Sequence, residues 1–178
     1  RTPADIENRL GLDVLATVPR ATPGPVSLTR SSRNAHDRML SSDAPAMESL
    51  RGLRTALHFG LLEARNNIVM LTGPTSGIGK TFTSVNLASV FAAADKRVLL
   101  VDTDLRNGQV HHAFRLPRGK GFSDLIQERC TLDDALQRDV VHNVDIITSG
   151  TLPRNPAELL LAPHTLELLQ KWAQAYDV

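Results

Sequence analysis

Apolar residues recur along this chain in two rhythms. Between Ala46 and Ala64, leucines 50, 53, 57 and 61 fall at steps of three and four, which predicts an amphipathic helix. Three shorter stretches are apolar nearly throughout: "NIVMLTG" at 67–73, "RVLLVD" at 97–102 and "NVDIITSG" at 143–150. Runs of that length predict strands buried on both faces. Helical patterns lie between and after them: residues 80–94, "SDLI", "TLDDALQ", "NPAELLLA" and "HTLELLQKWAQAY". The alternation predicts an α/β fold whose parallel sheet is covered by helices on both faces. Upstream, "PADIENRL" at 3–10 predicts a short helix and "DVLATVP" at 13–19 a strand-like run. From Arg20 to Pro45 the composition turns to Pro, Ser, Arg and Gly without apolar periodicity, which predicts a linker. The chain thus divides into a linker segment, 1–44, and a folded domain, 45–178.

Composition narrows the functional classes. The 178 residues suffice for one domain with a sizeable core. A net charge of +1 gives no bulk electrostatic case for nucleic acid or a lipid surface, so no nucleic-acid partner is expected. Cys130 is the single cysteine, which excludes a disulfide within the chain and favours a reducing compartment. No apolar run approaches the roughly 20 residues of a membrane span. The chain opens on Arg1 without an initiator methionine or a signal-peptide pattern, and is expected to be a piece of a longer protein.

The chemistry concentrates in "LTGPTSGIGKTFTSVNL", residues 71–87. A phosphate-binding loop reads G-x-x-x-x-G-K-[ST]. Here Gly79-Lys80-Thr81 closes the pattern, but the early glycine position holds Pro74 and Gly73 stands one residue too soon. Placed between a strand and a helix, Gly77, Ile78, Gly79, Lys80, Thr81 and Phe82 would turn their backbone N–H groups toward one anion, with the positive end of the helix behind them. Glycines permit the close wrap that a Cβ obstructs. Lys80 can reach the outer phosphates, and the Thr81 hydroxyl can ligate Mg²⁺. Pro74 brings no N–H, so the cradle relies on the later amides.

A second acidic motif follows. "RVLLVDTDLR" ends a predicted strand with Asp102, Asp104 and Arg106. Parallel sheets bind ligands at the carboxyl ends of their strands, which would set both carboxylates beside the phosphate loop. A carboxylate there can hold Mg²⁺ or accept a proton from an incoming hydroxyl.

The divergent loop "GPTSGIGKT" together with the D-x-D-x-R strand end resembles the bacterial tyrosine kinases of exopolysaccharide and capsule export. "PRNPAELLLA" at 153–162 resembles that family's P-x-N-P-x-E-L-L segment. "ADIENRLGLDVLATVPR" resembles the juxtamembrane linker that precedes its kinase domain. Glu48, Arg51 and Arg54 form E-x-x-R-x-x-R, the family's ring-forming motif. Those three positions lie on one helix face, so Glu48 and Arg51 could equally form an intrahelical ion pair of about 0.2–0.5 kcal/mol. The related partition ATPases carry a signature lysine before the G-x-G-K-T, where this chain has Thr75-Ser76.

The resemblance implies ATP and Mg²⁺ as cofactors, a P-loop NTPase-type sheet, and phosphoryl transfer to tyrosine. Carried over, Lys80 stabilises phosphate charge, Thr81 binds Mg²⁺, Asp102 and Asp104 supply the base and metal-positioning roles in an order that the sequence leaves open, with Asp102 the first choice for base, and Arg106 orients the aspartates or a phosphate. It also implies a ring of identical subunits joined through the Glu48/Arg51/Arg54 helix. A neighbour's tyrosine-rich tail would be the acceptor, the polysaccharide export machinery a partner, and the cytoplasmic face of the inner membrane the location. By the same resemblance a third nucleotide motif, on an apolar strand, would follow Val178, with the tyrosine-rich tail beyond it. The domain is therefore expected to be incomplete at its C-terminus and weakly active alone. Two other functions stay open: a partition-type ATPase in which water attacks, and a nucleotide-gated assembly module without kinase output. Tyr176, the single tyrosine, and Trp172 are expected to be packing residues, and Cys130 a small core or surface residue. His111-His112 is expected to be a solvated pair. Arginines 20, 30, 33 and 38 of the linker could face anionic headgroups if the parent is membrane-tethered.

Overall fold

The computed structural model describes residues 2–19 and 45–178; the linker arginines 20, 30, 33 and 38 lie outside the described residues. The first helix, α1, runs Pro3–Leu10. Its start is fixed by a capping box, in which Thr2 Oγ1 accepts from Asp5 N–H while Asp5 accepts from Thr2 N–H. Gly11 closes it at φ +63°. The strand-like run 13–19 joins no sheet: no strand pairs with it among the described residues, and Val14 N–H donates instead to the Glu7 side chain.

The domain proper begins with α2, Pro45–Glu63. Leu50 is wholly buried, and Leu53 and Leu57 pack against the core that α3 shares with the sheet, as the leucine spacing predicts. Helix α3, Lys80–Ala92, is followed by strand β1, Val98–Val101. Short helices α4 (Val110–Ala113), α5 (Phe122–Ile126) and α6 (Leu132–Ala135) lead to β2, Leu136–Val141, and β3, Val144–Ile147. Helices α7, Pro156–Leu161, and α8, Pro163–Ala175, close the chain.

The sheet order is β1-β3-β2. β1 and β3 are parallel, with Val98 opposite Val144 and Val101 opposite Ile147. Side chains alternate across this pair. Val98, Leu100, Val144 and Ile146 pack with α2, α3 and α4, while Leu99, Val101 and Ile147 pack with α5, α6 and α8. The α/β architecture with helices on both faces is thus observed.

Two details of the sheet differ from the sequence reading. β2 is antiparallel to β3, so the sheet is mixed. "LQ" at its start had been grouped with the preceding helix, but Thr131 and Asp134 cap α6 into a single turn and Leu136 already has extended backbone. The run 67–73 forms no strand: it makes no ladder among the described residues, and Met70 is 81% exposed. An apolar run becomes a strand only where a neighbour supplies hydrogen bonds. The edge of β1 that faces this run is met instead by the end of the chain: Leu99 N–H donates to Val178 O, and Asp177 and Val178 N–H to Arg97 O. Residues 67–71 and β1 both line a cavity of about 470 Å³, and Asn67 Nδ2 ties the run to Ala173 O and Tyr176 O. Among the described residues, no helix is long and apolar enough to cross a membrane.

Candidate nucleotide and metal site

The loop 73–79 joins residues 67–72 to α3. Gly77 and Gly79 take φ +76° and +100°, the left-handed region that disfavours a Cβ. A Cβ on Gly73 would meet only the tip of the exposed Ile78 side chain, which can swing aside, so the displaced glycine of the motif is under no comparable constraint. Gly79 is the N-cap of α3, and the first helical amide to reach a backbone carbonyl is Thr83, donating to Gly79 O at 2.8 Å. The amides of Lys80, Thr81 and Phe82 precede it in the first turn, where a helix leaves N–H groups for a ligand. Lys80 Nζ lies 3.4 Å from Thr75 O, folded back over its own loop.

Asp102 and Asp104 emerge past the carboxyl end of β1 and differ sharply in environment. Asp102 N–H still donates to Ile147 O, extending the ladder, and the residue is buried. Its Oδ1 accepts from Asp104 N–H at 3.2 Å and its Oδ2 from Val110 N–H at 3.0 Å. Burial pushes the Asp102 carboxyl above its usual pKa, with the two N–H bonds opposing that rise. Asp104 is exposed, and its Oδ1 accepts from Arg106 N–H and Asn107 N–H, which rounds the chain into the next turn. Arg106 therefore touches Asp104 through its backbone N–H.

Lys80, Thr81, Asp102 and Asp104 line the same cavity at the end of β1. Gly77, Ile78 and Gly79 form the loop above it. Phe82 faces a second hollow of about 260 Å³, with Asn86, Gln109 and His112. The donor set suits Mg²⁺: one hydroxyl and two carboxylates, all oxygen, fit an ion that keeps several of its waters. Among the described residues no tighter group of His, Cys, Asp or Glu competes for a metal. His111 is buried, contrary to the solvated pair expected, because α4 turns it inward; His112 is exposed.

The E-x-x-R-x-x-R helix lies apart from this cavity. Arg51 Nη1 pairs with Glu48 Oε2 at 3.2 Å on the exposed face of α2. Arg54 Nη1 reaches Val90 O at 3.3 Å, tying α2 to the last turn of α3. Two residues that the motif reading missed border Asp102, namely Gly108 and Ser149. Ser149 follows β3, the strand beside β1, at the sheet end where ligands bind, and that position is the signal that could have found it.

Residues 69–138 match the CobQ/CobB/MinD/ParA nucleotide-binding domain family. This defines the class: a P-loop nucleotide-binding α/β domain. The chain is 43% identical over 180 residues to EpsB of Ralstonia solanacearum, spanning 99% of this chain and 24% of EpsB. Two solved structures are similar over 99% of this chain. They are the kinase domain of Escherichia coli tyrosine kinase ETK (34% identity, TM-score 0.86, 70% of that chain) and the BceF tyrosine kinase domain (37%, 0.84, 73%). The chain belongs to the bacterial tyrosine-kinase family. It spans about a quarter of the length of the curated relatives it matches.

Proposed function

We propose that this chain is the ATP-binding catalytic domain of a protein-tyrosine autokinase that regulates exopolysaccharide polymerisation and export. The observation that carries the reading is the meeting of Lys80, Thr81, Asp102 and Asp104 on one cavity at the carboxyl end of β1. Lys80 and the first-turn amides of α3 hold the phosphates of ATP. Thr81, Asp104 and Asp102 would hold Mg²⁺, which would supply positive charge opposite the phosphates.

Asp102 accepts the proton of the attacking tyrosine hydroxyl. Its two backbone N–H donors keep the carboxylate in one orientation while it acts. Arg106, exposed two residues beyond Asp104, orients the aspartates or a phosphate. The acceptor is a tyrosine-rich tail of a neighbouring subunit, and Glu48 and Arg51 on the open face of α2, with Arg54, join subunits into a ring. The domain works at the cytoplasmic face of the inner membrane, with residues 1–44 as the juxtamembrane segment and 45–178 belonging to the kinase domain.

Phosphotyrosine mass spectrometry tests this on the full-length protein incubated with Mg·ATP, beside a Lys80→Met control. Tyrosine phosphate that disappears in the control is the expected result. ATP hydrolysis without tyrosine phosphate would replace the kinase with a partition-type ATPase, and binding without either would leave a gated assembly module.

A further inference from the structure

Three buried side-chain polar atoms have no hydrogen-bond partner among the described residues: His111 Nδ1, Arg118 Nε and Ser149 Oγ. Folded proteins leave few such atoms, and a group of them marks a place with work to do. All three belong to the surroundings of Asp102. Arg118 Nη2 donates to Gly108 O at 3.3 Å, and His111 feels the charges of both Arg118 and Asp102. A Cβ built on Gly108 would lie 2.4 Å from Ser149 Oγ and 2.7 Å from Asp102 Oδ2. Both oxygens therefore pack against the bare Cα of Gly108, no more than about 5 Å from one another, with no room for a water between them.

The chemistry of the pair is complementary. Asp102 Oδ2 accepts one protein hydrogen bond, from Val110, and a carboxylate oxygen has capacity for a second. Ser149 is 1% exposed, so its hydroxyl has no outlet to solvent. The backbone of Ser149 is already employed in the fold, its carbonyl accepting from Ser123 N–H at 3.1 Å. The side chain is therefore the part without a structural task. We propose that Ser149 is a positioning residue for Asp102, its hydroxyl turning to supply Oδ2 with a second donor where both pack on the bare Cα of Gly108. Gly108 is required because a Cβ there would clash with both Ser149 and Asp102 Oδ2. The inference rests on the reading of Asp102 as part of the Mg²⁺–nucleotide site.

The test measures mant-ADP affinity of the chain with Mg²⁺ and again in EDTA, for wild type, Asp102→Asn, Ser149→Ala and Gly108→Ala. The ratio of the two dissociation constants isolates the metal-linked part of binding, which a general packing defect would not change selectively. We expect Ser149→Ala to reduce that ratio by about three- to tenfold, the worth of one hydrogen bond. Affinity in EDTA and the melting temperature should stay close to wild type. Gly108→Ala should reduce the ratio at least as far, and hydrogen exchange at Val110 should quicken in both variants. An unchanged ratio in Ser149→Ala, with Asp102→Asn clearly reduced, overturns the role of Ser149 and leaves the site reading intact. Equal weakening with and without Mg²⁺ also overturns it, as a packing effect. If wild type and Asp102→Asn show the same ratio, the metal role of Asp102 itself is wrong and this proposal falls with it.

Discussion

The Tyr176 hydroxyl donates to Asp145 Oδ2 at 2.6 Å, tying the segment after α8 to β3. Partial burial, with the bonded Asp145 carboxylate next in weight, pushes the Tyr176 pKa up to about 12. The sign of the linkage follows. A folded-state pKa above the unfolded value of about 10 means that the native chain holds this proton more tightly. The resulting stability is complete below the unfolded pKa and is lost as pH rises through the folded one. Because Tyr176 is the single tyrosine, tyrosinate absorbance reports this one group. We expect the native chain to remain silent at a pH where the urea-unfolded chain is already half ionised. Coincident titrations in the two states would remove the Asp145 bond from the account.

Arg54 offers a separation of roles within the E-x-x-R-x-x-R helix. Its bond to Val90 O is partly buried and joins two helices, whereas the Glu48–Arg51 pair is exposed on one helix. Arg54→Ala should lower unfolding free energy by about 1–2 kcal/mol, since it removes a charged donor from a helix-end carbonyl. Glu48→Ala should stay within about 0.5 kcal/mol of wild type. Urea denaturation measures both. If the ring reading is right, Glu48→Ala nevertheless lowers the assembled fraction seen by light scattering.

Much of this was legible in the sequence because local chemistry decided it. The leucines of α2, the glycines of the loop and the paired aspartates all act through positions close in the chain. What was illegible depends on partners distant in sequence. Residues 67–73 have the composition of a strand, but composition cannot supply a neighbour to bond with. β2 was hidden because its polar middle, Gln137 to Asp139, interrupts any apolar run, and its register comes from β3. The unequal burial of Asp102 and Asp104 was equally out of reach. It arises from Val110, eight residues on, folding back over one carboxylate and leaving the other at the surface. Arg54 carried a motif in the sequence, and only the packing of α2 on α3 gave it a partner inside the chain.

Gly79 should be the least replaceable residue of the loop. At φ +100° it begins α3, and a side chain there is strained even though nothing crowds its position. Gly79→Ala is expected to cost about 1–3 kcal/mol of stability. It should also turn the first-turn amides away from the phosphates, with loss of mant-ADP binding in EDTA as well as in Mg²⁺. Gly52, in α2 and equally uncrowded, is the control: its replacement by alanine should hold or raise stability, as a helix interior favours alanine.

Lys80 separates binding from folding. Within the chain its ammonium makes one long hydrogen bond, 3.4 Å to Thr75 O, and that contact spans five residues of the same loop. A bond so long and so local adds little to the native state, so Lys80→Met should leave the urea midpoint nearly unchanged, within about 0.5 kcal/mol. Its effect on ligand should be large, because a cation opposite phosphate oxygens in a half-enclosed cavity is only partly screened. We expect mant-ADP affinity to fall by at least tenfold, and ATP affinity by more if the lysine serves the outermost phosphate as proposed. Isothermal calorimetry with ADP and ATP distinguishes the two. Equal losses for both nucleotides would place the ammonium at the inner phosphates, and no loss would mean that the amides of the loop bind without it.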